Sequence, residues 1–259
     1  MLTLSEIKSF FPDDLHRFPR FMLREYLQYK ILEIIFESPY ATGFCFLGGT
    51  CLRIVHGNRR FSEDLDFDNI TLEEEDFELV AEEIEKQLYR EGYQTQLKMV
   101  MKGAWHCHIK FPGLLYDEGL SGHREEKILI QLDTEPQHFD YEPERFILNR
   151  FDVFTTILTT PLTMLMAQKI YAILNRDRNK GRDFYDLVFL MGRNIQPDYH
   201  YLNDKISVSD PEALRKGILE KCRHLDMETL AKDVKPFLFD PADAKKVIHF
   251  EALVEQYKF

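Results

Sequence analysis

Residues 44–68, FCFLGGTCLRIVHGNRRFSEDLDFD, restrict what this chain can fold into more than any other stretch. Phe44-Cys45-Phe46-Leu47 has the length and apolar content of a buried strand. Gly48-Gly49-Thr50 follows, and then six residues that read as one or two helical turns. Glycines without a Cβ let the backbone turn sharply and let a bulky anion reach its N–H groups. A helix start behind them adds N–H donors and the positive end of a dipole. This is one half of a triphosphate site. The other half is 62–68, SEDLDFD, where acidic and apolar residues alternate with period two. In a strand, Asp64 and Asp66 project from one face while Leu65 and Phe67 are buried on the other. By a rise of about 3.3 Å per residue, the two carboxylates lie roughly 7 Å apart and can share hard cations.

Taken singly, a Gly-Gly-Thr is a plain strand-to-helix turn and an Asp-x-Asp a solvated strand face. In this order, with Thr50 and Asp64 fourteen positions apart, they resemble the glycine motif and paired aspartates of the nucleotidyltransferase superfamily. The wording GGT-x-LR…R-x-S-x-DLDF is similar to one branch, the AbiEii-type toxins of type IV toxin–antitoxin pairs. A second block, K-x-x-A-x-x-x-R-x-x-x-x-x-RD-x-x-DL, matches that family at Lys169, Ala172, Arg176, Arg182, Asp183, Asp186 and Leu187.

The resemblance implies a nucleotidyltransferase that draws on an NTP and on Mg2+ or Mn2+. It implies that Asp64 and Asp66 are catalytic metal ligands, with a third carboxylate on a following strand, for which Asp133 is the candidate. The alternative for Asp133 is a strand-end aspartate before Pro136. Gly48, Gly49, Thr50, Arg53, Ser62, Lys169 and Arg182 are the implied nucleotide-binding residues, and Asp183 the group that positions or activates the acceptor. On the residues alone, Lys169 can equally be a snorkelling lysine and Asp183 a helix cap. The implied acceptor is RNA, tRNA above all, and the implied partner a cognate antitoxin. Two rival readings share the motifs: a small-molecule nucleotidyltransferase of the antibiotic-modifying kind, and a nucleotide-binding module that no longer catalyses.

The net charge of −11 does not exclude RNA once its distribution is followed. Residues 62–91 hold thirteen acids against Lys86 and Arg90, which is the whole net charge; the remainder is neutral on balance. From 169 to 193, six bases oppose three acids. No run of 18 apolar residues is present, so no membrane span is expected. The N-terminus lacks the pattern of a secretory signal, and the expected location is the cytoplasm. Cys45, Cys51, Cys107 and Cys222 form no C-x-x-C pair. In Trp105-His106-Cys107-His108, strand alternation puts the histidines on one face and the cysteine on the other, which argues against a metal cluster.

The expected fold is α+β: a nucleotidyltransferase-like mixed sheet with N-terminal helices over 1–158, then a helical bundle over 159–259. Helices are expected at 4–11, 21–36 and 72–90, and strands at 93–101 and 106–111. Residues 127–135, KILIQLDTE, read as a strand with Ile128, Ile130 and Leu132 on one face and Leu129, Gln131 and Asp133 on the other. A last strand is expected over 146–156. Beyond it come an apolar helix at 161–174, capped by Thr160 and carrying Lys169 as its sole charge, and a second apolar helix from 183. Three more helices are expected to open at Asp210, Asp226 and Asp240.

Overall fold

A computed structural model describes all 259 residues, Met1–Phe259, which divide into two compact units. The first comprises Met1–Cys51 and Phe61–Thr159; the second comprises Leu52–Arg60 and Thr160–Phe259.

The first unit opens with α1 (Leu4–Ser9), held by a reciprocal capping box between Thr3 and Glu6. Next is α2 (Pro19–Glu37), with proline in its first turn. Then come β1 (Phe44–Leu47), α3 (Gly48–Ile54) and β2 (Leu65–Asn69), followed by α4 (Glu74–Arg90), β3 (Gln96–Lys102) and β4 (Ala104–Pro112). A short α5 (Leu114–Asp117) precedes β5 (Lys127–Glu135), β6 (Glu144–Arg150) and β7 (Val153–Thr159). The strands form one mixed sheet in the order β3-β4-β5-β2-β1-β7-β6. β2 lies between β1, to which it is antiparallel, and β5, to which it is parallel.

Aromatic packing fixes which face of each strand is buried. Phe67 of β2 lies 5.4 Å from Phe46 and 5.2 Å from Phe44, ring centre to ring centre, and 6.3 Å from Phe36 of α2. Phe44 in turn meets Phe77 of α4 at 6.5 Å. Because side chains alternate, this pins Asp66 and Asp133 to the opposite face.

Three features of this unit depart from the reading of the sequence. The helix after β1 starts at Gly48 itself, three residues before the helical turns read from Cys51 onward. Strand β2 starts only at Leu65, so Asp64 sits in the approach to the strand. The single strand expected over 146–156 is a hairpin of β6 and β7, turning at Phe151-Asp152. Phe151 adopts φ +59°, a conformation that usually signals glycine or asparagine. What holds a phenylalanine there is its ring, which packs on Phe10 and Phe11 and, edge-on, against Tyr26 and Tyr29 at 5.3 and 5.1 Å.

The second unit is helical: α6 (Leu162–Asn175), α7 (Gly181–Met191), α8 (Tyr199–Ile206), α9 (Pro211–Cys222), α10 (Met227–Val234), α11 (Lys245–Ile248) and α12 (Phe250–Gln256). Asp198, Asp210 and Asp226 each accept a backbone N–H at the start of α8, α9 and α10. At α6 the cap position is Pro161, which makes no side-chain cap bond, in place of the expected Thr160. The helix expected from Asp240 is broken into a 3-10 turn (Pro241–Ala244), α11 and α12, with His249 at φ −95°, ψ 18° between the last two. All four cysteines are free and buried. No helix is long and apolar enough to cross a membrane.

Gly181, the first residue of α7, lets that helix close on α10. A Cβ at Gly181 would stand 1.8 Å from the Leu230 carbonyl oxygen, and the Gly181 N–H donates to Asp233 Oδ2 at 2.8 Å. The obstacle is backbone, so no rotamer relieves it. Gly181→Ala is therefore expected to destabilise the protein by about 1–3 kcal/mol or more, read as a lowered midpoint in thermal or urea unfolding. An unchanged midpoint would show that α7 and α10 do not pack this closely.

Candidate functional site

Gly48 has φ +79°, and a Cβ there would lie 2.3 Å from Asp66 Oδ2. Both facts require glycine: the backbone angle excludes most L residues, and the Asp66 carboxylate occupies the space a side chain would fill. The two halves of the motif are thereby packed against each other. A second tie runs beside the first, since the Thr50 hydroxyl donates to the Asp64 carbonyl oxygen. Thr50 is fully buried, and its hydroxyl is committed to this tie.

The approach to Asp64 is fixed from α2. Gln28 Nε2 donates to the carbonyls of Ser62 and Glu63 at 3.2 and 3.0 Å, and Arg24 meets Glu63 Oε1 at 2.7 Å. Phe61 stacks on Phe21 at 4.9 Å with the rings 9° apart. Asp68, the third acid of the alternation, is buried and accepts the Gln137 N–H at 2.9 Å, a structural use.

Asp133 is the direct Cα partner of Asp66 across the parallel pair β2–β5. The two side chains leave the same face of neighbouring strands, which are about 4.8 Å apart. His106 of β4 is the Cα partner of Asp133 on its other side. Its Nδ1–H donates to Asp133 Oδ1 at 2.6 Å. Gln131 Nε2 donates to Asp133 Oδ1 and Oδ2 at 2.8 and 2.9 Å. A row His106, Asp133, Asp66 therefore crosses three strands on one face, beside the Gly48 turn. Of these, Asp66 and Asp133 offer carboxylate oxygens, which suit a hard divalent cation. The side chains do not, as they stand, form a cage: no three His, Cys, Asp or Glu converge on a common point.

In the second unit the sequence-derived residues fall into a buried ion network. Lys169 Nζ lies 2.9 Å from Asp183 Oδ1 and 2.8 Å from Asp186 Oδ2. These two carboxylates are the partners that a lysine on an apolar helix requires. Arg60 clamps Asp186 from the other side, Nε to Oδ1 at 2.6 Å and Nη2 to Oδ2 at 2.7 Å, and Asn58 Nδ2 adds a bond at 2.8 Å. Asp183 also pairs with Arg176, which is 44% exposed. Arg53 and Arg182 lie over the rings of Phe239 and Phe237, at 4.6 and 4.7 Å. Reading the sequence did not single out Asn58, Arg60, Asp186, His106 or Gln131 as site residues. Arg60 and Asp186 do stand in the two motif blocks, as the arginine of R-x-S-x-D and the last acid of RD-x-x-DL.

Burial works against the charges of Asp186 and Lys169, and their partners win. Asp186 is held below the usual carboxylate range because Arg60 and then Lys169 outweigh its desolvation. Lys169 is held above the usual amine range because Asp183 and Asp186 outweigh its desolvation. Asp186 thus contributes stability above about pH 4, lost as pH falls through its lowered folded value. The Lys169 contribution persists through neutral pH and is lost only as pH rises through its raised folded value. Asp186→Asn leaves two buried cations short of a partner and should cost about 3–5 kcal/mol at pH 7. It should also flatten the acid limb of the stability curve, both checked by urea unfolding between pH 3 and 8. A mutant as stable as the parent at pH 7 would contradict the network.

A family model described as nucleotidyl transferase AbiEii toxin, type IV TA system, matches residues 30–254. No curated protein matches significantly in sequence. Among solved structures, MenT4, a nucleotidyltransferase toxin from Mycobacterium tuberculosis, is 14% identical with a TM-score of 0.60, over 100% of this chain and 91% of that one. JHP933 from Helicobacter pylori is 15% identical with a TM-score of 0.56, over 91% of this chain and 90% of that one. At such identities the likeness to these structures concerns the fold.

Proposed function

Because the chain belongs to the family of AbiEii nucleotidyltransferase toxins, we propose that it moves a nucleotidyl group from an NTP to a hydroxyl of RNA, tRNA foremost, in the cytoplasm. The acceptor oxygen forms a bond to the α-phosphorus, and the bond from that phosphorus to the bridging oxygen breaks. Pyrophosphate leaves, and the hydroxyl proton passes to a base or to solvent. The observation that carries this reading is the contact of Asp66 with the Gly48 turn, with Asp133 beside it on the next strand.

In this reading the backbone N–H groups of Gly48, Gly49 and Thr50 hold the β and γ phosphates, and the Ser62 hydroxyl adds a donor. Asp64, Asp66 and Asp133 would hold Mg2+ or Mn2+, whose chemistry when bound is to offset phosphate charge. The second block enters through the family match, which spans it. Lys169, Arg53 and Arg182 are assigned to phosphate contacts and Asp183 to the acceptor. The ion pairs of Lys169 and Asp183 add a condition to that assignment. Any phosphate contact of Lys169 is made while two carboxylates hold it, which fixes its position at some cost in free charge. Membership of a type IV pair supports a cognate antitoxin as partner.

The test offers each of the four α-labelled NTPs, with Mg2+, to total RNA, to hydroxylated antibiotics and to protein. Label is expected in RNA, most strongly in the tRNA fraction. Asp66→Asn should lower transfer at least about 100-fold, the scale of losing one charge-stabilising group. Its melting midpoint should stay close to that of the parent. Label in the small molecules alone would support the antibiotic-type reading instead, and full activity in Asp66→Asn would remove this site from the chemistry.

A further inference from the structure

The hydrogen bonds around Asp133 leave it one open position. A carboxylate has about four lone-pair sites, two on each oxygen. On Asp133 Oδ1 both are taken, by His106 Nδ1 at 2.6 Å and Gln131 Nε2 at 2.8 Å. On Oδ2 one is taken, by the same Gln131 nitrogen at 2.9 Å. One site remains, on Oδ2. The donors stand on two strands in register, His106 directly across β4–β5 and Gln131 two residues earlier on the same face of β5. The carboxylate plane is thus fixed from two directions without help from the loops. Because the acceptor is a carboxylate, the His106 bond requires the proton on Nδ1.

Resting on the metal-dependent reading above, we propose that His106 and Gln131 are positioning residues that make Asp133 a single-oxygen ligand, through Oδ2, for the divalent cation shared with Asp66. They orient the ligand through their own bonds without touching the cation. Partners of this kind typically account for a 10- to 100-fold difference in metal affinity. They also account for why no three ligating side chains converge here: Asp133 is turned to its own donors and presents one oxygen, while Asp66 lies against Gly48.

The test is Mn2+ binding to the full chain, followed by electron paramagnetic resonance of the free ion, with melting curves alongside. His106→Ala and Gln131→Leu should each weaken Mn2+ about 10-fold. The loss should vanish in the Asp133→Asn background, where neither residue has a carboxylate to orient. Gln131→Leu is the second arm where His106→Ala fails to fold. Parental Mn2+ affinity in both variants, with binding lost in Asp66→Asn, overturns the positioning role and leaves the metal site standing. Parental affinity in Asp66→Asn overturns the metal site itself, and this inference with it.

Discussion

Gly48 can stand where it does because it has no side chain, and Asp66 can stand where it does because Gly48 leaves the room. A methyl group at Gly48 would overlap the carboxylate at 2.3 Å. Everything that fixes β2 therefore also fixes the geometry of the glycine turn. That fixing comes from the other face of the sheet, where Phe44, Phe46 and Phe67 pack together under α2 and α4. A slip of one residue would exchange Phe67 for Asp66 in that core, which hydrophobic burial and the cost of a buried carboxylate both forbid. The same register sets Asp66 opposite Asp133. The chemistry of the open face is thus specified by the apolar residues of the buried one.

The second unit meets its polar requirements in another way. There Arg60, Lys169, Asp183 and Asp186 are buried together, with Asn58 completing the bonds to Asp186. Such a network adds little net stability over a well-packed apolar core of the same volume, but it penalises any arrangement that leaves one charge alone. It also fixes the segment Leu52–Arg60, which Arg60 enters through both its guanidinium and a backbone bridge to Leu238. The residues that follow the glycine turn are in this way built into the core of the second unit.

The parts of this structure legible in the sequence are those written in local periodicity. β5 runs from Lys127 to Glu135 as its alternation requires, and Thr3, Asp210 and Asp226 cap the helices they precede. The mixed sheet followed by helices was legible from the order of strand-like and helix-like segments. The hairpin at Phe151 was not, because its turn depends on aromatic packing from Phe10 and Phe11, just after α1, and from α2, and not on a turn residue. The Arg60–Asp186 clamp joins residues 126 positions apart, and no local pattern encodes such a pair. His106 was legible as a residue on one face of its strand, but its meaning needed the register that sets it against Asp133. The resemblance of the two motif blocks to AbiEii toxins supplied the family, which the match over residues 30–254 bears out.

The central claim is that the face carrying Asp66 and Asp133, beside the Gly48 turn, is where nucleotide and cation bind together. The most direct measurement is a crystal structure with Mn2+ and a non-hydrolysable NTP, in which the metal is located by its anomalous scattering. The account predicts an anomalous peak within coordination distance of Asp66 and Asp133 Oδ2, about 2.0–2.3 Å, with the triphosphate along the backbone of Gly48–Thr50. A nucleotide bound elsewhere on the chain, with no metal at Asp66, would contradict it.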